Sequence, residues 1–174
     1  MQAAGHPRRF RRRLFLGALA AFPLAGVTAV ADAFWVEPQW LKIRRLQLAA
    51  QPRCRFVHFT DLHFKGDRAY LEKLVAKINA LAPELVCFTG DLIEQSAHLP
   101  AALAILGRIK APLFGIPGNH DYWSGADFAP IREAFARTGG AWLENQSLTA
   151  AAGRVCLHGV TQLNKATVQP QPGA

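Results

Sequence analysis

The sequence has 174 residues, a length that fits one domain with an appended segment. Apolar residues make up 51% of the chain and charged residues 18%, which excludes a largely disordered protein. The net charge of +8 does not indicate a nucleic-acid partner, because basic clusters with interleaved aromatic residues are missing. More than half of that charge comes from five arginines near the amino terminus: Arg8, Arg9, Arg11, Arg12 and Arg13.

Residues 1–33 are predicted to be a targeting segment. Arg12 and Arg13 precede an uncharged run from Leu14 to Ala31, and this order resembles the twin-arginine export signal. Small residues at the end of the run allow cleavage, whereas the length of 18 uncharged residues also allows an uncleaved membrane anchor. In either case we expect the protein on the outer face of the cytoplasmic membrane or in the periplasm, with membrane association.

Residues 34–53 are predicted to be a linker followed by an edge strand. Charged and apolar residues alternate loosely from Leu41 to Leu48, which favours a half-exposed strand at the edge of a sheet.

Strands and helices are expected to alternate in the domain predicted for residues 54–161. The three strands are predicted at Phe56–Thr60, Leu85–Thr89 and Leu113–Ile116. Between them, apolar residues at helical spacing predict one helix from Asp67 to Pro83 and another from about Leu99 to Ile109. Strands that alternate with helices indicate an α/β fold with a parallel sheet and right-handed crossovers.

A third helix is predicted to begin at Asp127 and to end at the pair Gly139-Gly140. Two further short strands are expected, at Trp142-Leu143 and at Arg154–His158. The four tryptophans (Trp35, Trp40, Trp123 and Trp142) are interpreted as core or interface residues rather than as a ligand platform.

Polar residues follow each of the three strands. Asp61 and His63 follow the first strand, Asp91 follows the second, and Asn119 follows the third. The ends of parallel strands meet at one edge of a sheet, so these side chains are predicted to converge on a metal site for Mn²⁺, Fe, Mg²⁺ or Zn²⁺. Caps and turn residues are the alternative reading of the same positions.

Two residues that follow Asn119 are candidates for catalysis. His120 is predicted to lie near a bound phosphate and to donate a proton to the leaving oxygen. Asp121 is predicted to orient the His120 ring.

These motifs together resemble the calcineurin-like metallophosphoesterase superfamily. The resemblance is carried by Asp61-x-His63, Gly90-Asp91 and Gly118-Asn119-His120-Asp121, and it covers about residues 54–161. The leader and the continuation Tyr122-Trp123-Ser124-Gly125 are most similar to the membrane-associated branch that includes bacterial UDP-2,3-diacylglucosamine pyrophosphatases and related phosphodiesterases.

The resemblance implies a four-layer αββα sandwich with two divalent metal ions. Asp61 and His63 would bind the first ion, Asp91 would bridge the two ions, and Asn119 would bind the second, while His120 would be catalytic. The implied reaction is hydrolysis of a phosphomonoester, phosphodiester or pyrophosphate, with lipid-linked or nucleotide-sugar pyrophosphates among the implied substrates.

Later histidine motifs of that superfamily, including Gly-His-x-His, do not follow in this sequence, and residues 162–174 form a polar tail. We therefore expect these 174 residues to represent the amino-terminal half of the sandwich. Such a chain is expected to bind at most about one metal ion, weakly, and to hydrolyse little phosphodiester. The alternatives are a non-catalytic remnant that binds metal or phosphate weakly, and a membrane-anchored interaction module.

Overall fold

The computed structural model describes residues 41–161 of the chain. The predicted leader, the first part of the linker and the polar tail lie outside these residues, and those assignments stay predictions. Among the described helices, none is both long enough and apolar enough to cross a membrane.

Four short strands form a parallel sheet in the order β1-β2-β3-β4. Their bounds are Phe56–Phe59 (β1), Leu85–Phe88 (β2), Leu113–Gly115 (β3) and Ala141–Trp142 (β4). Phe56 pairs with Leu85, and Phe88 pairs with Gly115. The predicted α/β class, the parallel sheet and the three principal strands are therefore confirmed.

Helices connect the strands in the order that the sequence predicts. They are Arg68–Leu81 (α1), Leu99–Leu106 (α2), Asn119–Trp123 (α3) and Ala129–Arg137 (α4), with a short 3-10 turn at Ser96–His98. The side chain of Asp67 caps α1 by accepting the Tyr70 N–H at 3.0 Å. Pro100 lies in the first turn of α2, where its missing N–H is not needed. The five-residue helix α3 was not predicted.

The main core lies between the helices and one face of the sheet. Side chains along a strand alternate between the two faces, so Val86 and Phe88 of β2 face the helices together with Leu113 of β3. They pack against buried side chains of three helices: Leu71, Val75 and Ile78 of α1, Ala102, Leu103, Ile105 and Leu106 of α2, and Ile131, Ala134 and Phe135 of α4.

A two-stranded hairpin covers part of the other face. Its strands, β5 (Gln146–Ala150) and β6 (Val155–Gly159), are antiparallel. Ala150 packs with Leu85 and Phe114 of the parallel sheet. Strand β6 was predicted and β5 was not. The described residues thus supply one helical layer, the parallel sheet and a two-stranded part of a further layer, while the four-layer sandwich stays an expectation.

The edge strand predicted within residues 34–53 is wrong. Residues 41–48 form neither helix nor strand, and Leu46 is 81% exposed. A strand is stabilised when its backbone pairs with a neighbour and one of its faces is buried. Alternating apolar and charged residues supply the sequence pattern of such a strand. They supply neither the neighbouring strand nor the core against which one face would be buried.

Leu71→Ala tests the helix-side core, since Leu71 is fully buried in α1. We expect the free energy of unfolding to fall by about 2–5 kcal/mol, through lost burial and the cavity left behind. The matched control is Leu74→Ala in the same helix, because Leu74 is only partly buried. Urea titration of both variants gives the comparison, and equal losses would contradict the described orientation of α1.

Candidate metal centre

The predicted ligand loops lie together at the carboxyl edge of the parallel sheet. Asp61 follows the end of β1, Asp91 follows β2, and Asn119 begins α3 just after β3. These three residues line a cavity of about 260 Å³, together with Thr60, Thr89, Ile116, Pro117, Gly118, Tyr122 and Val160. The convergence expected from parallel strands is thus present in the structure.

The first two loops are joined by backbone hydrogen bonds beyond the end of the strands. Three N–H groups of the first loop donate to three carbonyls of the second: Asp61 to Gly90 at 3.0 Å, His63 to Asp91 at 2.8 Å, and Phe64 to Leu92 at 3.0 Å. Because every bond fixes one loop relative to the other, the side chains on both loops have defined relative positions.

Three of the predicted ligands have a left-handed backbone. The φ angles are 53° at Asp61, 42° at His63 and 61° at Asp91. For residues other than glycine this conformation is uncommon and costs about 1–3 kcal/mol. Strained residues of this kind cluster at functional sites, where the surrounding structure enforces them.

The side chains on these loops form a group of potential metal ligands. His63 Nε2 lies 3.7 Å from Asp61 Oδ1 and 3.6 Å from Asp91 Oδ2. Ligand atoms of His63, Asp91 and His120 all lie within 4.8 Å of one another. Metal–ligand bonds of about 2.0–2.1 Å imply ligand separations of roughly 2.9–3.4 Å. The contacts of His63 with Asp61 and Asp91 are therefore close to the separation that a divalent ion requires. The nitrogen and oxygen donors fit the ions predicted from the sequence.

Asp91 occupies the central position in this arrangement. Its Oδ2 faces His63, while its Oδ1 accepts the backbone N–H of His120 at 2.9 Å. Asp91 also lines the cavity on which Asp61 and Asn119 lie. The side chain thus contacts the ring of His63 and the backbone of His120, and it lines the same cavity as Asn119.

Close backbone contact between the second and third loops brings Asp91 to this position. A Cβ on Gly118 would lie 2.1 Å from Asp91 Oδ1, and a Cβ on Gly90 would lie 2.4 Å from Gly118 N. Gly90 also has a φ of +96°, which glycine adopts readily. Only glycine at both positions lets the two loops approach this closely.

Asp121 has a different place from the one predicted. Its carboxylate is fully buried and accepts three backbone N–H groups, those of Asp91, Leu92 and Gly118, at 2.8–2.9 Å. Burial raises the pKa of Asp121, and these N–H groups oppose the rise. The bond from Gly118 is one half of a helix capping box, since glycine has no side chain to supply the other half.

The carboxylate beside the His120 ring belongs to Glu94, so the orienting contact predicted for Asp121 is wrong. Glu94 Oε2 lies 3.1 Å from His120 Nδ1, and Oε1 lies 2.8 Å from His63 Nδ1. Although Glu94 Oε1 and His63 Nδ1 are close, they are not aligned as a hydrogen bond. Loss of water acts to raise the pKa of Glu94, but His120, Lys65 and His63 outweigh this effect and lower it.

Sequence reasoning missed Glu94, and its signal in the sequence is its closeness to the predicted ligand Asp91. Glu94 lies three residues after Asp91, in the loop that continues the backbone pairing with the first loop. A parallel bridge between Phe64 and Ile93 places Glu94 beside both histidines.

Asp121→Asn tests the buried carboxylate. The amide retains one acceptor oxygen and turns an NH₂ group toward backbone N–H donors, so buried donors lose their partner. We expect the free energy of unfolding to fall by about 1–3 kcal/mol in chemical denaturation. Asp127→Asn is the control, because Asp127 accepts the exposed N–H of Ala129, and an asparagine oxygen can accept the same bond. Equal stability of the two variants would contradict the role given to Asp121.

Comparison with known proteins places the sequence of this chain in a family. The family model described as calcineurin-like phosphoesterase matches residues 54–172. The chain is similar to the UDP-2,3-diacylglucosamine pyrophosphatase LpxG of Chlamydia muridarum, at 32% identity over 127 residues, which cover 63% of this chain and 38% of that protein. It is also similar to the uncharacterized metallophosphoesterase YkuE of Bacillus subtilis, at 32% identity over 130 residues, covering 66% and 44%. The chain thus spans less than half the length of these relatives. It belongs to the calcineurin-like phosphoesterase family, a family of hydrolases.

Proposed function

We propose that this chain carries the metal centre of a phosphoesterase that cleaves phosphate-ester or pyrophosphate bonds. The observation that supports it best is the position of His63 Nε2, which lies 3.7 Å from Asp61 Oδ1 and 3.6 Å from Asp91 Oδ2. Carboxylate and imidazole donors at the end of a parallel sheet suit divalent ions that act on phosphates. The name of the LpxG relatives favours a pyrophosphate joined to a lipid or sugar as the substrate class.

The proposed metal ligands are Asp61, His63, Asp91 and Asn119. Asp61 and His63 would hold one ion and Asn119 a second, with Asp91 between them. Bound divalent ions would stabilise negative charge on the phosphate and activate water for attack. Asn119, a neutral ligand, adds no negative charge to a site that receives an anion.

His120 is proposed as the proton donor to the leaving oxygen. The pKa of Glu94 is lowered, so Glu94 is ionised near neutral pH and accepts a hydrogen bond from a ring N–H group. Because Glu94 lies beside Nδ1 of His120, the hydrogen on Nδ1 is held there. Donation to the leaving oxygen then requires the imidazolium form, in which Nδ1–H stays with Glu94 and the second proton leaves from Nε2.

Asp91→Asn tests the central ligand with little change in shape. We expect Mn²⁺ to bind the unaltered chain, and the variant to lose at least about 100-fold in affinity, because one charged oxygen at the shared position becomes neutral. Calorimetric titration with Mn²⁺ measures this, with hydrolysis of bis(p-nitrophenyl) phosphate as a second readout. Asp67→Asn is the control, because Asp67 is an exposed helix cap.

The same titration separates the competing proposals. A chain that binds no Mn²⁺ would overturn the metal centre and favour an interaction module, whereas binding without hydrolysis would favour a non-catalytic remnant. His120→Ala separates two roles of that histidine: retained Mn²⁺ affinity with lost hydrolysis supports a proton donor, and lost affinity makes His120 a metal ligand.

Glu94→Gln tests the contact with both histidines. Residues that orient metal ligands typically change metal affinity by about 10- to 100-fold, and we expect a loss of Mn²⁺ affinity in that range. The melting temperature should change little, because Glu94 is partly exposed. Glu72→Gln is the control, since its ion pair with Arg108 lies on the exposed surface of α1. Unchanged Mn²⁺ affinity would show that Glu94 does not position the ligands.

A further inference from the structure

Trp123 is the most exposed aromatic side chain near the site, among the residues that the structure describes. Trp142 is buried, as expected for a core tryptophan, whereas 71% of Trp123 is exposed. A core position is therefore excluded for Trp123. Its ring centroid lies 5.0 Å from that of His120, the proposed proton donor.

The position of the indole follows from the helix that carries it. His120 and Trp123 are three residues apart on α3, so their side chains share one face. The buried Asp121 fixes the opposite face of α3 by accepting backbone N–H groups from the neighbouring loops. Tyr122 packs edge-on against Phe128 at 5.1 Å and adds a second anchor. Trp123 therefore remains beside His120 and in contact with water.

We propose that Trp123 forms the wall of a subsite for the leaving group, and that it selects substrates whose leaving alcohol carries an apolar surface such as a nucleobase or an acyl chain. This inference rests on the proposed function. A proton donor must lie within hydrogen-bond distance of the leaving oxygen, so the leaving group passes beside the His120 ring. Groups attached to that oxygen then reach the indole.

A cation linked to His120 through Glu94 agrees with this assignment. Lys65 Nζ lies 3.9 Å from Glu94 Oε1, and Glu94 in turn contacts His120. The side chain of Lys65 is 73% exposed, so its ammonium is accessible to a phosphate group beside the site. An exposed indole beside His120, together with a cation linked to His120 through Glu94, suits an amphiphilic phosphate ester, in which a charged group adjoins a ring or chain.

Binding of two matched phosphates tests the subsite in the full 174-residue chain with Mn²⁺. Adenosine 5′-monophosphate and ribose 5-phosphate share the phosphate and the sugar and differ in the base. Stacking of a base on an aromatic side chain strengthens binding by about 5- to 150-fold, and calorimetry should show this preference for the adenine compound. The affinities of octyl phosphate and methyl phosphate give the same comparison for an apolar chain.

Trp123→Ala should remove most of either preference and leave ribose 5-phosphate binding unchanged, while Trp123→Phe should retain part of it. Leu46→Ala is the control, since Leu46 is also largely exposed but lies outside the helices and strands. Thermal melting checks that each variant is folded. Tighter binding of adenosine 5′-monophosphate than of ribose 5-phosphate would show that the subsite takes a flat ring. Tighter binding of octyl phosphate than of methyl phosphate would show that it takes an alkyl chain.

Four outcomes would overturn the inference. Equal binding within both pairs, or a preference that survives in Trp123→Ala, removes the subsite while the proposed function stands. Loss of binding to phosphatidylglycerol vesicles in Trp123→Ala, with the ligand preference absent, would make Trp123 a membrane contact instead. If neither ribose 5-phosphate nor inorganic phosphate binds the Mn²⁺-loaded chain, the proposed function itself fails and the inference fails with it.

Discussion

The buried carboxylate of Asp121 is the interaction on which the rest of the site depends. It joins the loop after β3 to the loop after β2 by accepting three backbone N–H groups. Without it, these buried donors would lose their partners, at a cost comparable to a large part of the stability of a small domain. The same bonds set the rotation of α3, which carries His120 outward. A residue that resembles a catalytic group in the sequence thus acts by organising the backbone.

Two sets of backbone contacts make the ligand loops one unit. The loop after β1 pairs with the loop after β2, and the loop after β2 in turn packs against Gly118. Side chains on such loops are positioned before any ion or substrate arrives, so little ordering entropy is lost on binding. Glu94 adds side-chain contacts to both histidines from the same pair of loops.

The sequence predicts the scaffold better than it predicts the contacts within the site. Hydrophobic periodicity identified the principal strands and helices, and the parallel order of the strands was enough to bring Asp61, Asp91 and Asn119 to one edge. Helix α3 is too short for a periodic signal. The role of Asp121 depends on the backbone N–H groups opposite it, and the role of Glu94 on two histidine rings. In both cases those partners come largely from loops about 30 residues away. The wrong strand at Leu41–Leu48 has the same cause, because alternation does not reveal whether a pairing partner exists.

The left-handed backbone at Asp61, His63 and Asp91 has a consequence for how such a chain evolves. Glycine adopts this conformation without strain, and asparagine tolerates it better than most residues do. Random variation screened only for solubility or heat resistance should therefore accumulate glycine at these three positions. The centre survives in nature only while selection acts on its chemistry, because foldability alone favours its erosion.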